Sequence, residues 1–526
     1  MFNKLGVHLL LSVLFGILFF LPDILFKLFH HEYFIFHVKL YKEFIVFVVL
    51  NFMILSLHSF RLKYSFYILF MIFSFSELIH YSFFRSLIMP YEIPMFFAQS
   101  EEMLDTLEGV WNYMLVPVAI LIVMLILIYF ILIKVNTWTL KGGKVSLFMM
   151  IFILLIGSVV ATQRKTPYVF LPKAQSTSIK NMYTVLSWSI AKEIPSVFGK
   201  ENVLPHFKPY TIKDVKMKKP QTIVVVMGES LSAKYMSLYG FEKETTPKLS
   251  NRKNELLYTW GYSAGINTDV AVPTFFALKR EPQNNMVFLK GETNLFTMAK
   301  NAGYKTHYIT TQRLTVMGSF LGGSVDVLRS KSYFKSKEEV YDEVLLEYLK
   351  NIDFSKKNFI VLHQRNSHSP YDKYTPKAYH TFKFDKDDYT SYMRGSYYNS
   401  VLYTDTLLDS MIHVLEKQEK SAVLFFTSDH SEMLGMKDEE GRFGHLFLGY
   451  ADAKVPMITY VNKSARYLQS TLNLENVISH YQFAKKITNV LGKDVTNPNE
   501  NGEFYINGVD ISGSQGYLTY KNRGKL

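Results

Sequence analysis

The sequence contains no cysteine among its 526 residues. This absence excludes disulfide bonds, thiol nucleophiles and cysteine-based zinc sites, so any metal must be held by oxygen and nitrogen ligands. The chain also has no run of lysine and arginine interleaved with aromatic residues, which argues against nucleic acid as a partner. No small-residue cleavage site follows the first apolar stretch, so that stretch is interpreted as a membrane helix rather than a signal peptide.

Apolar and aromatic residues are abundant instead. Hydrophobic residues make up 48% of the chain and aromatic residues 16%, a bias typical of membrane segments with aromatic side chains at the interfaces. The formal net charge of +13 has two interpretations. It reflects either basic residues that flank membrane helices and a solvated surface, or attraction to anionic phospholipid or phosphorylated glycolipid.

Five stretches are apolar and long enough to be membrane spans. They are residues 6–22, 44–60, 64–84, 113–133 and 145–163. The third stretch contains Glu77, which is costly in hydrocarbon and is therefore expected to face protein or the interface. Five spans would place the chain ends on opposite sides of the membrane, and the bias of lysine and arginine among the loops places the C-terminal part outside.

The chain is predicted to have three parts. These are a transmembrane domain at 1–163, a connector with an interfacial helix at 164–204, and a soluble domain at 205–526. In the last part, buried strands such as TIVVVMG (222–228) and SAVLFFTSDH (421–430) alternate with amphipathic helices. This alternation predicts an α/β domain with a mostly parallel sheet covered by helices.

Polar residues follow the predicted strands at the point where each strand ends. Glu229 follows the first strand, and His368 comes shortly after the strand at 357–362. Asp429 and His430 come just after the strand at 421–427, in TSDHSE. His445 follows a little later in GRFGHLFLG. Each residue alone has an ordinary explanation as a turn or surface residue. Because the carboxyl ends of parallel strands share one edge, the set together predicts a site for zinc or manganese.

Thr268, in AGINTDVAVPTFF, has two interpretations. It is either the N-cap of the helix expected to start near Asp269, or a nucleophile. A bound dication lowers the pKa of coordinated water from about 15.7 to about 7, and a coordinated threonine hydroxyl should respond similarly. A helix N-terminus also binds phosphate oxygens, so the capping and catalytic interpretations are compatible.

Several motifs occur in a fixed order over roughly residues 220–460. They are VVVMGES with MSLYGFEKETTPKL, SAGINTDVAVPTFF, YDEVLLEYL, FIVLHQRNSHSPYDKYTP, YYNSVLYTDTLL, and FFTSDHSEMLG with GHLFLG and VPMITY. This set resembles the bacterial phosphoethanolamine transferases, which act on lipid A and lipooligosaccharide. The resemblance implies five membrane helices, a catalytic domain of the alkaline-phosphatase/sulfatase α/β/α type, and a multi-pass inner-membrane protein with that domain in the periplasm.

The resemblance also implies roles for individual residues. Glu229, Thr268, Asp429 and His430 would be zinc ligands, with Thr268 also the nucleophile. His368 and His445 match positions that bind the phosphoethanolamine group or a second metal, and either could be the proton donor or base. Zinc is the expected metal, with a second zinc as an option and manganese less favoured.

The implied reaction has two steps. Thr268 takes phosphoethanolamine from phosphatidylethanolamine and releases diacylglycerol, and the group then passes to a phosphate or sugar hydroxyl of lipid A or lipooligosaccharide. The chain departs from the family in lacking disulfides and in having no counterpart of the usual lysine in the loop 310–326. Gln312 or Arg313 is the expected substitute.

Three other functions share part of this pattern. A phosphoglycerol transferase of the lipoteichoic-acid-synthase type would share the spans, the fold and the threonine nucleophile. A sulfatase is disfavoured because the Cys/Ser-x-Pro-x-Arg pattern around the nucleophile is missing. A catalytically inactive membrane protein that binds lipid is disfavoured because ligand-type residues stand at all the strand-end positions.

Overall fold

The computed structural model describes most of the chain, in segments. These are residues 4–29, 40–84, 87–88, 100–135, 142–163, 177–193, 207–312, 324–334, 340–511, 513 and 516–522. The chain divides into two compact units, Met1–Asn202 and Val203–Leu526. Much of the proposed connector at 164–204 lies outside the described residues, and the division of the chain at residues 163 and 204 stays a prediction.

The first unit is helical. Its helices are α1 (Lys4–Phe29), α2 (Leu40–Leu55), α3 (Phe60–Phe84), α4 (Ser100–Val135), α5 (Gly143–Thr162) and α6 (Ser178–Trp188), and a π-helical turn, Ser189–Glu193, follows α6. Within the described residues, four segments are long and apolar enough to cross a membrane: Lys4–Ile24, Phe60–His80, Pro117–Val135 and Gly143–Thr162.

The expectation of five spans is therefore wrong for the described residues. The stretch predicted at 44–60 forms α2, which has only 16 residues and ends at Leu55. At 1.5 Å per residue this helix is about 24 Å long, short of the roughly 30 Å hydrocarbon thickness. The argument from an odd number of spans to the orientation of the chain consequently no longer applies.

Buried carboxylates of the first unit hold α6 in place. Glu77 is fully buried and accepts hydrogen bonds from the Asn181 side chain and from the Ile88 N–H, each at 2.8 Å. Asp23 accepts hydrogen bonds from the backbone N–H and the hydroxyl of Ser178, the first residue of α6. The expectation that Glu77 faces protein is confirmed, and the two acids complement the positive end of the α6 dipole.

The second unit alternates strands and helices. The helices are α7 (Pro247–Asn251), α8 (Thr268–Phe276), α9 (Met286–Lys290), α10 (Leu295–Asn301), α11 (Glu343–Lys350), α12 (Tyr371–Tyr374), α13 (Tyr389–Glu416) and α14 (His480–Val490). The strands are β1 (Thr211–Asp214), β2 (Thr222–Gly228), β3 (Leu256–Tyr262), β4 (Lys305–Thr310), β5 (Val327–Arg329), β6 (Asn358–His363), β7 (Ala422–Ser428), β8 (Met433–Leu434), β9 (Phe443–Gly444), β10 (Lys454–Val461), β11 (Lys493–Thr496), β12 (Phe504–Asn507) and β13 (Tyr517–Tyr520).

Seven strands form the central sheet, in the order β3-β10-β7-β2-β6-β4-β5. The pairs from β7 to β5 are parallel, and β10 is antiparallel to both β3 and β7. The three middle strands, β7, β2 and β6, are buried at every residue. Burial on both faces explains why these strands read as continuous apolar runs rather than alternating ones.

The two faces of the sheet bury different residues of β2. Ile223, Val225 and Met227 belong to one apolar core, which also contains residues of α8, α10 and α14. Val224 and Val226 point to the opposite face by the two-residue period of a strand, and they are equally buried. The mostly parallel, helix-covered sheet expected from the sequence is confirmed.

Candidate active site

Two carboxylates leave neighbouring strand ends side by side. The register of the parallel pair β2–β7 places Gly228 opposite Ser428. Glu229 and Asp429 are the next residues of the two strands, so both side chains emerge at the carboxyl edge of the sheet. In parallel sheets this edge is where functional groups collect.

The turns after these strands fix the carboxylates through short hydrogen bonds. Asp429 Oδ1 accepts from the Ser230 N–H at 2.9 Å and from the His430 N–H at 2.7 Å. The Ser230 hydroxyl donates to Glu229 Oε1 at 2.8 Å. Ser230 has a φ of 52°, in the left-handed region that a serine rarely adopts. Such strain is commonly found where a backbone must aim side chains at one point.

Thr268 lies at the first position of α8. The N-cap is Asn267, whose side chain accepts a hydrogen bond from the Val270 N–H at 3.1 Å. The interpretation of Thr268 as the helix cap is therefore wrong, and the helix begins one residue before Asp269. Since another residue caps the helix, the Thr268 hydroxyl is available for other contacts.

The Thr268 hydroxyl points into the carboxylate pair. It donates to Asp429 Oδ2 at 2.6 Å and lies 3.3 Å from Glu229 Oε2 and 3.5 Å from His430 Nε2. The structure thus brings together four residues that span more than 200 positions of the sequence. Glu229, Asp429 and His430 are at most 2% exposed, so these contacts are made away from bulk water.

The electrostatics of the cluster favour a positive charge beside its two carboxylates. Burial raises the pKa of Asp429, and the charge of Glu229 raises it further, to about 7. Burial would also raise the pKa of Glu229, but hydrogen bonding and charge from His430, with the charges of His368 and His363, lower it well below its usual range. Burial lowers the pKa of His430, but Asp429 and Glu229 outweigh it and raise the value to about 10.

These residues fit a dication. One ligand atom from each of Glu229, Asp429 and His430 lies within 4.8 Å of the others, and a second such group consists of His430, Glu432 and His445. Both groups offer only carboxylate oxygen and imidazole nitrogen, which suit zinc or manganese. A bound cation would supply the positive charge that the two buried carboxylates demand.

The two histidines expected near the nucleophile occupy different surroundings. His445 Nδ1 lies 2.8 Å from Glu432 Oε2, and its ring centroid is 4.2 Å from that of His430. His368 is partly buried, and its Nδ1 lies 2.5 Å from the Ser369 carbonyl oxygen. His445 is therefore part of the buried network, whereas His368 borders it and acts on it through charge.

Sequence reasoning missed two residues of this network. Glu432 is 2% exposed and links His445 to Tyr371, whose hydroxyl donates to Glu432 Oε1 at 2.6 Å. Glu432 lies in the same TSDHSE segment as Asp429, and its position two residues after His430 was the available signal. No local pattern marks Tyr371 as a partner.

His480 is a further residue that the sequence did not reveal. Its Nδ1 accepts a hydrogen bond from the Ala264 N–H at 3.1 Å, and its Nε2 lies 3.1 Å from the Thr427 hydroxyl. Burial lowers the pKa of His480 to about 3, so the ring is neutral. A neutral imidazole here joins the loop before Thr268 to β7, the strand that Asp429 follows.

Gln312 lies inside the cluster. Its side-chain amide donates to Glu229 Oε2 at 2.6 Å and to the Gln364 carbonyl oxygen at 2.7 Å, and it lies 3.0 Å from His363 Nε2. Arg313, the other expected substitute for the missing lysine, lies outside the described residues.

Comparison with known proteins agrees with this architecture. The family model described as Sulfatase matches residues 221–493, more than half of the chain. Kdo(2)-lipid A phosphoethanolamine 7''-transferase of Salmonella typhimurium is 25% identical over 261 residues, which cover 47% of this chain and 45% of that protein. Phosphoethanolamine transferase EptA of Helicobacter pylori is 29% identical over 315 residues, which cover 53% of this chain and 56% of that protein. The chain spans about half the length of these curated relatives.

A solved structure extends the likeness to the membrane region. The integral membrane protein lipooligosaccharide phosphoethanolamine transferase A (EptA) of Neisseria meningitidis aligns with a TM-score of 0.61 and 18% identity, covering 93% of this chain and 95% of that chain. This likeness shows a shared fold along nearly the whole chain. The expected fold class is confirmed apart from the number of spans, and the relatives confirm the resemblance to the phosphoethanolamine transferases.

Proposed function

The chain belongs to the sulfatase family, and on that premise we propose that it transfers phosphoethanolamine from phosphatidylethanolamine to lipid A or lipooligosaccharide. The names of its curated relatives support the transferred group and the acceptor class. The apolar helices of the first unit support a location in the inner membrane. The catalytic unit would then act in the periplasm, where this acceptor is reached.

One observation carries the proposal: the Thr268 hydroxyl is directed at two buried carboxylates and a histidine. A threonine that serves only structure has no need of a 2.6 Å bond to a buried aspartate beside a second carboxylate. Activation of a hydroxyl requires a group that accepts its proton, and Asp429 Oδ2 is in position to do so. Thr268 also stands at the positive end of α8, which favours the negative charge that develops on an attacking oxygen and on a phosphate.

Glu229, Thr268, Asp429 and His430 would hold zinc. When bound, zinc would lower the pKa of the threonine hydroxyl and neutralise negative charge on the phosphoryl group. The second group of donors, His430, Glu432 and His445, could hold a second ion of the same kind.

The first half of the reaction exchanges one ester for another. Thr268 Oγ1 forms a bond to phosphorus, and the bond between phosphorus and the glycerol oxygen of the lipid breaks. The threonine proton moves toward Asp429, and the departing diacylglycerol oxygen takes a proton from His368 or His445. The product is phosphoethanolamine esterified to Thr268, together with free diacylglycerol.

The second half reverses the roles of the oxygens. A phosphate or hydroxyl oxygen of the acceptor glycolipid attacks the same phosphorus, and His368 or His445 accepts a proton from an acceptor hydroxyl. The bond between Thr268 Oγ1 and phosphorus breaks, and the threonine oxygen recovers a proton. With a hydroxyl acceptor, atoms and charge balance without any further reactant. With an ionised phosphate as the acceptor, the histidine regains its proton from water.

Labelling of the full-length protein, followed by mass spectrometry of its peptides, tests this proposal. The full-length protein in detergent micelles is incubated with phosphatidylethanolamine and no acceptor, and we expect a phosphoethanolamine adduct on Thr268. Thr268→Ala should carry none. Thr274→Ala is the matched control, because Thr274 is a buried threonine of the same helix. This variant should carry the same adduct on Thr268 as the wild type. An adduct on another residue would refute the assignment of the nucleophile, and a glycerophosphate adduct would favour a phosphoglycerol transferase.

A further inference from the structure

The side chain of Gln312 is committed to the proposed metal ligand Glu229. Gln312 is 6% exposed, and its Nε2 donates to Glu229 Oε2 at 2.6 Å and to the Gln364 carbonyl oxygen at 2.7 Å. A primary amide has two N–H hydrogens, so these two acceptors use both. The amide nitrogen therefore has no hydrogen left for a substrate phosphate in this arrangement.

The neighbouring histidine fixes which way the amide faces. His363 Nε2 lies 3.0 Å from Gln312 Nε2, and His363 Nδ1 lies 2.7 Å from the Tyr308 hydroxyl. Burial lowers the pKa of His363 to about 4, so the ring is neutral, and Nε2 can share one of the two amide hydrogens as a further acceptor. The reverse orientation of the amide would place its oxygen against the carboxylate of Glu229, which is repulsive.

The backbone of Gln312 is held on both sides. Its N–H donates to the Thr310 hydroxyl at 3.0 Å, and its carbonyl oxygen accepts from the Lys331 N–H at 3.0 Å. Thr310 is the last residue of β4, two strands away from β2 in the sheet. Gln312 therefore connects the proposed metal ligand to a rigid strand end on the far side of β6.

We propose that Gln312 is a positioning residue that orients the Glu229 carboxylate for metal binding. This inference rests on the proposed function. The Ser230 hydroxyl holds one carboxylate oxygen at 2.8 Å, and Gln312 holds the other. With both oxygens fixed, the plane of the carboxylate is set before an ion arrives, and each oxygen keeps a lone pair free for it. Side chains that orient a metal ligand in this way typically change metal affinity about 10- to 100-fold when removed.

Zinc affinity, measured by competition with a chelator on the full-length protein in detergent, tests the proposal. Gln312→Leu keeps a side chain of similar volume but removes the amide, and we expect zinc binding roughly 10- to 100-fold weaker. Asn358→Leu is the matched control. Asn358 is also a buried amide that donates to two carbonyl oxygens, those of Asp353 and Lys356, but it lies at the opposite edge of the sheet. Its replacement should leave zinc affinity unchanged.

The outcomes separate this inference from the proposed function. Wild-type affinity in Gln312→Leu, alongside loss of zinc in Glu229→Ala, would overturn the role of Gln312 and leave the metal site standing. Equal weakening in Gln312→Leu and Asn358→Leu would reduce Gln312 to a general structural residue and also overturn the inference. If Glu229→Ala binds zinc as well as the wild type, the proposed metal site itself fails. Should Gln312→Leu not fold, Gln312→Asn shortens the same amide by one methylene and is expected to weaken zinc binding in the same direction.

Discussion

The carboxyl edge of the central sheet and the opposite amino edge, where the parallel strands begin, each contain a buried histidine. The two histidines differ in charge. At the carboxyl edge, His430 lies 3.5 Å from carboxylate oxygens of both Glu229 and Asp429, and they raise its pKa to about 10. At the amino edge, His307 contacts the Tyr348 hydroxyl and the Asn358 side chain, and burial lowers its pKa to about 4. Both histidines are at most 3% exposed.

Because both histidines are buried, the charge of their partners decides whether the imidazole is protonated. Burial lowers the pKa of His307, and the side chains that it contacts, Tyr348 and Asn358, carry no charge that would oppose this effect. At the carboxyl edge His430 faces two carboxylates, those of Glu229 and Asp429, and a dication would balance their negative charge. A cavity of about 490 Å³ borders the amino edge and is lined by His307 and Asn358 among others. Its size does not by itself make it a catalytic site.

The largest expected effect is the loss of turnover when a carboxylate of the carboxyl edge is removed. Glu229→Ala and Asp429→Ala should each lower the rate of transfer by more than about 10³-fold, because the proposed nucleophile loses its activating group. The rate of diacylglycerol release from phosphatidylethanolamine measures this effect. Asn358→Ala, at the amino edge, should lose stability but keep its rate within a few-fold. A normal rate in either carboxylate variant would show that this residue has no part in the reaction. The proposed difference between the two edges would then be wrong.

Much of the fold was predictable because the sheet is buried on both faces. β2 and β7 are continuous apolar runs, and their alternation with helices leaves few arrangements other than a parallel sheet. The number of membrane spans was not predictable from apolar composition alone. The stretch at 44–60 is apolar, but its helix ends at Leu55, before the hydrophobic run does.

The site was predictable only in part, for a geometric reason. Parallel strands must end at one edge, so Glu229 and Asp429 could be placed together from their positions after strands. The partners Gln312 and Tyr371 enter from a loop and a short helix, and only the folded chain shows what they contact. The sequence likewise did not show which of the two neighbouring residues, Asn267 or Thr268, caps the helix, and the structure shows that it is Asn267.

A smaller effect is expected in the pH dependence of stability at the amino edge. The unfolded chain binds a proton on His307 at about pH 6.5, whereas the folded chain resists it until about pH 4. Stability is therefore complete above pH 6.5 and falls as the pH drops toward 4, by up to about 1.4 kcal/mol per pH unit from this residue. His307→Gln, which keeps a hydrogen-bonding side chain, should melt at temperatures that depend less on pH across this range. If the melting temperatures of the two proteins depend equally on pH, His307 has the same pKa in the folded and the unfolded chain, and the prediction fails.

The smallest effect separates stability from chemistry by comparing two helix caps. Asn267 caps α8 at the carboxyl edge, and its side chain accepts a hydrogen bond from the Val270 N–H at 3.1 Å. Asn294 caps α10, the helix before β4, and its side chain accepts one from the Phe296 N–H at 2.9 Å. Asn267→Ala and Asn294→Ala should each cost about 1 kcal/mol of stability, since an alanine cannot satisfy the free N–H. Only Asn267→Ala should also slow transfer, by roughly tenfold, because the next residue is the proposed nucleophile and a small displacement of a reacting atom lowers the rate strongly. Thermal melting and the rate of diacylglycerol release, measured on both variants, test the two parts. If both variants slow transfer equally, the rate follows stability, and the Asn267 cap has no separate effect on the reaction.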